Sequence, residues 1–381
     1  MQEARWRIIN ADGARRVVVT KELPGQRWLQ YLTDADCRVE ICTSTEILTR
    51  EQIASAIGDR CDGVIGQLTE TWAEPLFLKL SAAGAKAYSN YAVGYDNVDV
   101  AAATRHRIPV GNTPGVLTEA TAEMAAALTL AAARRTGEAE RFLRAGKYRT
   151  WLPTLFLGEL LRQKTVGVIG AGRIGAAYAR MMVEGHKMNL VYFDRRPNPA
   201  LEKFVDDYSR FLASRGETPL TWKRAETLDR LLEKSDYISL HTALTDSTRH
   251  MIDAKRLRRM KKTAILINTS RGPVIDEAAL VAHCRKNPEF RAGLDVFENE
   301  PNLAPGLADL DNVVIVPHIA SATNWSRQGM ATLAAANVAA MLQGYPAWQH
   351  RDISPFLGDH PPQAAPSIVN AEALGIARYT E

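Results

Sequence analysis

The chain has 381 residues, 46% hydrophobic and 24% charged, with a formal net charge of +4. That length is large for one hydrophobic core, so two domains are expected. Its scattered charge and the lack of any apolar run near the ~20 residues of a membrane helix argue against a nucleic-acid or membrane partner.

The N-terminal third alternates short apolar runs with helical segments. Runs at 16–20, 39–43, 63–66, 86–89 and 108–111 predict strands, and 50–57 and 74–83 predict helices. This spacing describes a small parallel α/β domain over residues 1–115. It has no glycine-rich phosphate loop, so it is a candidate for holding substrate rather than nucleotide. Asn112-Thr113-Pro114-Gly115 ends the pattern, and an alanine-rich helix over 118–135 follows. The segment 137–163 is irregular and aromatic, with Tyr148, Trp151 and Phe156. It reads either as an arm that packs on a partner subunit or as a plain interdomain loop.

The stretch 165–194 organises what comes next. Val166, Val168 and Ile169 suit a strand buried on both faces. Gly170-Ala171-Gly172-Arg173-Ile174-Gly175 follows at once and opens a helix, the pattern of a dinucleotide-binding turn. The helix N-terminus then faces the pyrophosphate. A second strand, 190–193, ends in Asp194, nineteen residues after Gly175, where a carboxylate can accept from an adenosine ribose. Strands at 236–241, 263–269, 292–297 and 312–318 bring the total to six, predicting a doubly wound Rossmann domain over 116–318. An insert at 196–225 reads as a helix with a surface loop. The basic run RRMKK at 258–262 reads as a solvated helix end.

Ser321 is the expected cap of a final helix, 322–343, within a segment 319–350 that returns to the first domain. The proline-rich tail, 351–381, is expected to wrap over the surface or be partly mobile. Cys37, Cys42, Cys61 and Cys284 form no CxxC pair, which suits reduced thiols, and no metal is expected. The N-terminus lacks a signal-peptide core and the C-terminus lacks Ser-Lys-Leu, so a cytoplasmic location is expected.

Three motifs sit at the carboxyl ends of the late strands, where open α/β sheets bind ligands. They are Asn268-Thr269-Ser270-Arg271-Gly272, Asp295 through Glu300-Pro301, and Pro317-His318-Ile319-Ala320-Ser321. An arginine, a carboxylate and a histidine thus occupy consecutive strand-end loops beside a nucleotide site.

With these motifs the chain closely resembles the D-isomer-specific 2-hydroxyacid dehydrogenases. The likeness runs through GVIGQLTE (63–70), GVLTEATAE, GVIGAGRIG, NTSRGPVIDE, LDVFENEP and VPHIAS. SNYAVGYDNVDV, WLPTLFLGELL, AYARMMVEG, GLADL and PSIVN bring it nearest to the plant-type NADH-dependent hydroxypyruvate reductases, whose members end in the Ser-Lys-Leu that this chain lacks. The resemblance implies a Rossmann domain beside a smaller flavodoxin-like substrate domain, with NAD(H) as cofactor and NADP(H) used weakly.

It also implies roles. Arg271 matches the arginine that binds the substrate carboxylate, and its planar fork suits that task. His318 matches the general acid. Glu300 matches the carboxylate that orients it, with Glu298 the weaker candidate. Formate dehydrogenases of the same superfamily carry glutamine where Glu300 stands, so Glu300 argues for ketone reduction. Val93 and Gly94 match a loop whose N–H groups hold the substrate carboxylate. Thr242, Thr269 and Asp295 match positions beside the cofactor, with Gly170, Gly172, Arg173, Ile174, Gly175, Asp194 and Arg195. Ala243 stands where proline is common, and nothing in the sequence explains it.

Trp151 resembles an aromatic that reaches a neighbouring subunit's active site, with a core tryptophan as the alternative. A homodimer with a small 2-oxo or 2-hydroxy acid substrate is implied, with hinges near 113–118 and 318–323. The rival reading is an NAD(H)-sensing binding protein, because transcriptional corepressors share the fold and the Arg/Glu/His set.

Overall fold

The computed structural model describes residues 5–380, which form two compact units. One contains the chain up to Leu117 and from Ala322 onward; the other is Thr118–Ser321. The readings of the two chain ends rest in part on residues 1–4 and 381, which lie outside the described residues. Among the described residues no helix is long and apolar enough to cross a membrane.

The first unit carries six strands: β1 (Trp6–Ile9), β2 (Arg15–Val19), β3 (Cys37–Cys42), β4 (Gly63–Gly66), β5 (Ala87–Asn90) and β6 (Val110–Gly111). Their order is β1-β3-β2-β4-β5-β6, and only β1 runs antiparallel to its neighbour. From β3 to β6 this is the flavodoxin-like order. Edge strand β1 escapes the sequence because Arg7 and Ile8 are exposed and its four residues show no alternation. The helices are α1 (Arg27–Asp34), α2 (Arg50–Ile57), α3 (Glu74–Ala82) and α4 (Val100–Arg105). Helix α2 starts where a capping box closes: Thr49 accepts from the Gln52 N–H while the Gln52 side chain accepts from the Thr49 N–H.

The second unit opens with α5 (Thr118–Ala133) and α6 (Thr136–Arg144). Helix α6 lies within the segment expected to be irregular; it buries no side chain, so no apolar stripe against a core marks it. Then come β7 (Thr165–Ile169), α7 (Arg173–His186), β8 (Asn189–Phe193), α8 (Pro199–Ser214), β9 (Trp222–Arg224), α9 (Leu228–Lys234) and β10 (Tyr237–Leu240). The unit ends with α10 (Ala254–Leu257), β11 (Ile265–Asn268), α11 (Glu277–Lys286), β12 (Arg291–Leu294) and β13 (Val313–Ile315). The sheet is parallel throughout, in the order β13-β12-β11-β10-β7-β8-β9. It has seven strands rather than six. The 196–225 stretch is not an insert: β9 pairs with β8 and completes the first half of the sheet. Three residues, two of them exposed, carry too little pattern to be seen in advance.

Helix α12 (Asn324–Leu342) returns to the first unit. Its cap is Thr323, whose hydroxyl accepts from the Ser326 N–H, and not Ser321. The helix lies close enough to the sheet that a Cβ on Gly63 would sit 2.7 Å from Val338 Cγ1, and one on Gly111 2.8 Å from Asn337 Nδ2. Asn337, buried in mid-helix, donates to the Asn112 carbonyl and accepts from the Ser367 N–H. The proline-rich tail is held by similar bonds. Val369 N–H donates to the Val110 carbonyl, and Asn370 accepts from the Val110 N–H while donating to Ile108. These amide contacts have no sequence period, so the composition of the tail conceals them.

Candidate active site

In the second unit the turn from β7 into α7 shows why each glycine is required. Gly170 has φ +89°, and a Cβ there would lie 2.6 Å from the His241 carbonyl oxygen. At Gly175 a Cβ would approach the Gly170 carbonyl oxygen to 1.9 Å. Around Gly172 a Cβ would meet nothing within 4 Å, so this residue keeps a clear face at the N-terminus of α7, where no side chain caps the helix. Arg173 and Ile174 form the first turn beyond it. This face fits a pyrophosphate on free N–H groups.

Asp194 ends β8, and its carboxylate is already engaged. One oxygen accepts from the Ala171 N–H at 2.8 Å and the other from the Arg196 N–H at 3.1 Å. It therefore stands against the glycine turn. Arg195 and Arg196 are exposed beside it. Arg224, on the strand that showed no sequence pattern, donates to the carbonyls of Asp194 and Arg195. Thr242 and Thr269, after β10 and β11, each hold a buried hydroxyl with no partner among the described residues. Two such hydroxyls at strand ends of one sheet fit a polar ligand lying across them.

The late strand ends bring three predicted residues together. Asn268 closes the first loop: its carbonyl oxygen accepts from Ser270 and its NH₂ donates to the Arg271 carbonyl. Gly272 then packs against the loop after β12, since a Cβ would lie 1.9 Å from the Phe297 carbonyl. Glu277 at the start of α11 fixes that loop by accepting from the N–H groups of Glu298 and Ala304. Asn268 lies within a singled-out motif, and Glu277 closes the NTSRGPVIDE string, whose pattern does not show its role because its partners are backbone atoms far along the chain.

His318 follows β13 with φ +51°, an unfavourable region for a non-glycine residue. Asp295 holds it there. The Asp295 carbonyl accepts from the His318 N–H, and its carboxylate accepts from Ile319 and Ala320 at 2.6 and 2.9 Å. Burial pushes the Asp295 carboxyl up, against the effect of those two donors. The ring Nδ1 of His318 lies 2.8 Å from Glu300 Oε2, and Glu300 Oε1 accepts from the Phe297 N–H. Burial alone would raise the Glu300 carboxyl; the hydrogen bond and charge of His318, the Phe297 N–H and the charge of Arg271 outweigh it and hold it below the usual range. Arg271, half-buried, donates to the Ser270 carbonyl. Glu298 faces elsewhere, to His250 Nε2 at 2.5 Å and the Glu277 N–H at 3.2 Å. The arrangement places an imidazole, a carboxylate held below its usual range and a guanidinium around one set of loops.

In the first unit Val93 and Gly94 lie in the loop after β5. Their carbonyls accept from Asn112 and Asn90 at 2.8 and 3.0 Å. Neither N–H donates to a protein acceptor among the described residues. Trp151 is 73% exposed, which rules out a core tryptophan. Among the described residues no group of His, Cys, Asp or Glu is placed to hold a metal.

Residues 126–320 match the NAD binding domain of the D-isomer specific 2-hydroxyacid dehydrogenases. A glycerate dehydrogenase of Cucumis sativus is 61% identical over 97% of this chain and 98% of its own. A glyoxylate reductase of Korarchaeum cryptofilum is 41% identical over 86% of this chain and 93% of its own. Among solved structures, the TT0316 protein of Thermus thermophilus superposes with a TM-score of 0.75 at 37% identity, covering 86% and 97% of the two chains.

Proposed function

The chain belongs to the D-isomer-specific 2-hydroxyacid dehydrogenase family, and from that membership we propose that it reduces hydroxypyruvate to D-glycerate, and glyoxylate to glycolate. The observation that carries this reading is the His318–Glu300 pair beside Arg271. The second unit is the nucleotide domain. Gly170, Gly172 and Gly175 would hold the pyrophosphate, Asp194 the adenosine ribose, and Thr242 and Thr269 the polar edge of the dinucleotide. NADH, when bound, supplies the hydride. Arg271 binds the 2-oxo acid through its carboxylate and lies near the C2 carbonyl. His318 gives its proton to the carbonyl oxygen, and Glu300 fixes the ring through Nδ1 and balances its charge. Asp295 acts through backbone, holding the turn that aims His318. Within the first unit, the Val93 and Gly94 N–H groups are the candidates for holding a substrate carboxylate.

NADH is the preferred coenzyme in this reading. A 2′-phosphate near Asp194 would meet like charge at a cost of roughly 1–4 kcal/mol. Exposed Arg195 and Arg196 return only ~0–1 kcal/mol each, so NADPH is used weakly. Asp194→Ser should narrow the gap. Wild type that uses NADPH as well as NADH would overturn the role given to Asp194.

The arm after α5 supports a homodimer. Leu143, Tyr148, Trp151, Leu152, Leu157 and Leu160 are all exposed on it. Such an apolar run on the surface marks an interface, and Trp151 would reach the neighbouring subunit. Sedimentation showing an active monomer would refute this. Four buried, unpaired cysteines suit a reducing intracellular setting, and the cytoplasm is the location proposed.

The deciding assay follows NADH oxidation with hydroxypyruvate and with glyoxylate. Turnover of neither would favour the NAD(H)-sensing alternative.

A further inference from the structure

Gln67 is the first residue beyond β4, at the carboxyl end of the strand. Its backbone is fully engaged. The N–H donates to Glu70 Oε2 at 3.0 Å, and the carbonyl accepts from Asn97 Nδ2 at 3.0 Å. Asn97 also donates to the Glu70 carbonyl, and the Tyr91 N–H donates to the Gly66 carbonyl. These bonds lock the loop after β4 onto the loop after β5, which carries Val93 and Gly94. The side chain is treated differently. Gln67 Nε2 is buried and has no acceptor among the described residues.

A buried amide without a partner is destabilising. This one sits at a strand end of a parallel sheet, where such folds bind ligands, on a backbone held rigid beside the loop assigned to the substrate carboxylate. With the substrate carboxylate assigned to the N–H groups of Val93 and Gly94, the Gln67 amide is left for another polar group. It is well suited to a hydroxyl. We propose that Gln67 reads the C3 hydroxyl of hydroxypyruvate, its NH₂ donating to that oxygen, and so sets the preference for hydroxypyruvate over glyoxylate. This rests on the proposed function. Glyoxylate has no such hydroxyl and would leave the amide unpaired, the situation in which a polar site discriminates best.

The test uses the full chain with NADH and compares kcat/KM for the two acids in wild type, Gln67→Met and Gln67→Asn. Methionine keeps the length without the donor; asparagine keeps the donor but withdraws it by one methylene. Both variants should lose roughly 3–10-fold with hydroxypyruvate, the worth of one hydrogen bond, while glyoxylate stays within about twofold. Thermal midpoints and NADH fluorescence titrations on the same samples identify a variant that has lost its fold, and the other variant then decides. An equal fall with both acids would assign Gln67 to the carboxylate or to the loop and overturn the proposal, as would no change with either. Wild type inactive on both acids would instead sink the functional reading beneath it.

Discussion

Two histidine–glutamate pairs draw their carboxylates from one loop, and only one of them has an arginine's charge acting on it. His318 and His250 both have left-handed backbones, φ +51° and +50°. Their partners, Glu300 and Glu298, are two residues apart, at 2.8 and 2.5 Å from the rings. Glu298 spends its other oxygen on the first N–H of α11, so His250 is one more tether for that loop. Glu300 spends its other oxygen on Phe297 and feels the charge of Arg271. His318 is itself held by Asp295 on the next strand end. A histidine–carboxylate contact is therefore not a catalytic signature. What separates the two is the company of a guanidinium, that of Arg271, and a second element that fixes the ring's backbone.

The largest expected effect is on His318. His318→Ala should lose ~10²–10⁴-fold in kcat, the range supplied by a positioned general acid, with NADH affinity near normal by fluorescence titration. A variant retaining half the wild-type rate would remove His318 from the mechanism. Glu300→Gln should cost about 10²-fold, the low end of the same range, while Glu298→Gln costs far less; equal losses would erase the distinction between the pairs. Arg271→Ala should act mainly on KM, because the carboxylate loses its charged fork, and a pure kcat effect would reassign it.

Stability against pH sharpens the comparison further. Glu300 has a folded pKa below its unfolded value. Its contribution is complete above the ordinary carboxylate range and is lost as pH falls through the lowered value. Glu300→Gln should therefore flatten the acid limb of urea midpoints measured from pH 6 to 3; an unchanged slope would mean that the pair carries no linkage. His241, at the end of β10 against Ser239 and Tyr178, is a third case. Burial pushes it down to about 3, so its contribution is complete above its unfolded value, ~6.5, and is lost as pH falls toward 3. The smallest effect is expected for His250→Ala, within about twofold of wild-type kcat. A loss approaching that of His318→Ala would break the comparison outright.

The sequence by itself determined the nucleotide half of this protein to a useful depth. Gly170, Gly172, Gly175 and Asp194 announce themselves because a tight turn, a clear face and a close strand–helix contact each exclude other residue types at fixed spacing. The strand-end motifs with Arg271, Glu300 and His318 were legible for a related reason, as polar residues following runs of buried apolar ones. Tertiary structure alone decided the rest. Strands β1 and β9 are too short and exposed to show a period, and α6 packs on no core that would pattern it. Nothing local says that Glu277 braces the loop from Phe297 to Ala304, that Arg224 clamps the end of β8, or that Glu298 belongs to His250. Those are bonds between a side chain and distant backbone, or between loops of separate strands, and a one-dimensional pattern carries no record of which loop ends up beside which.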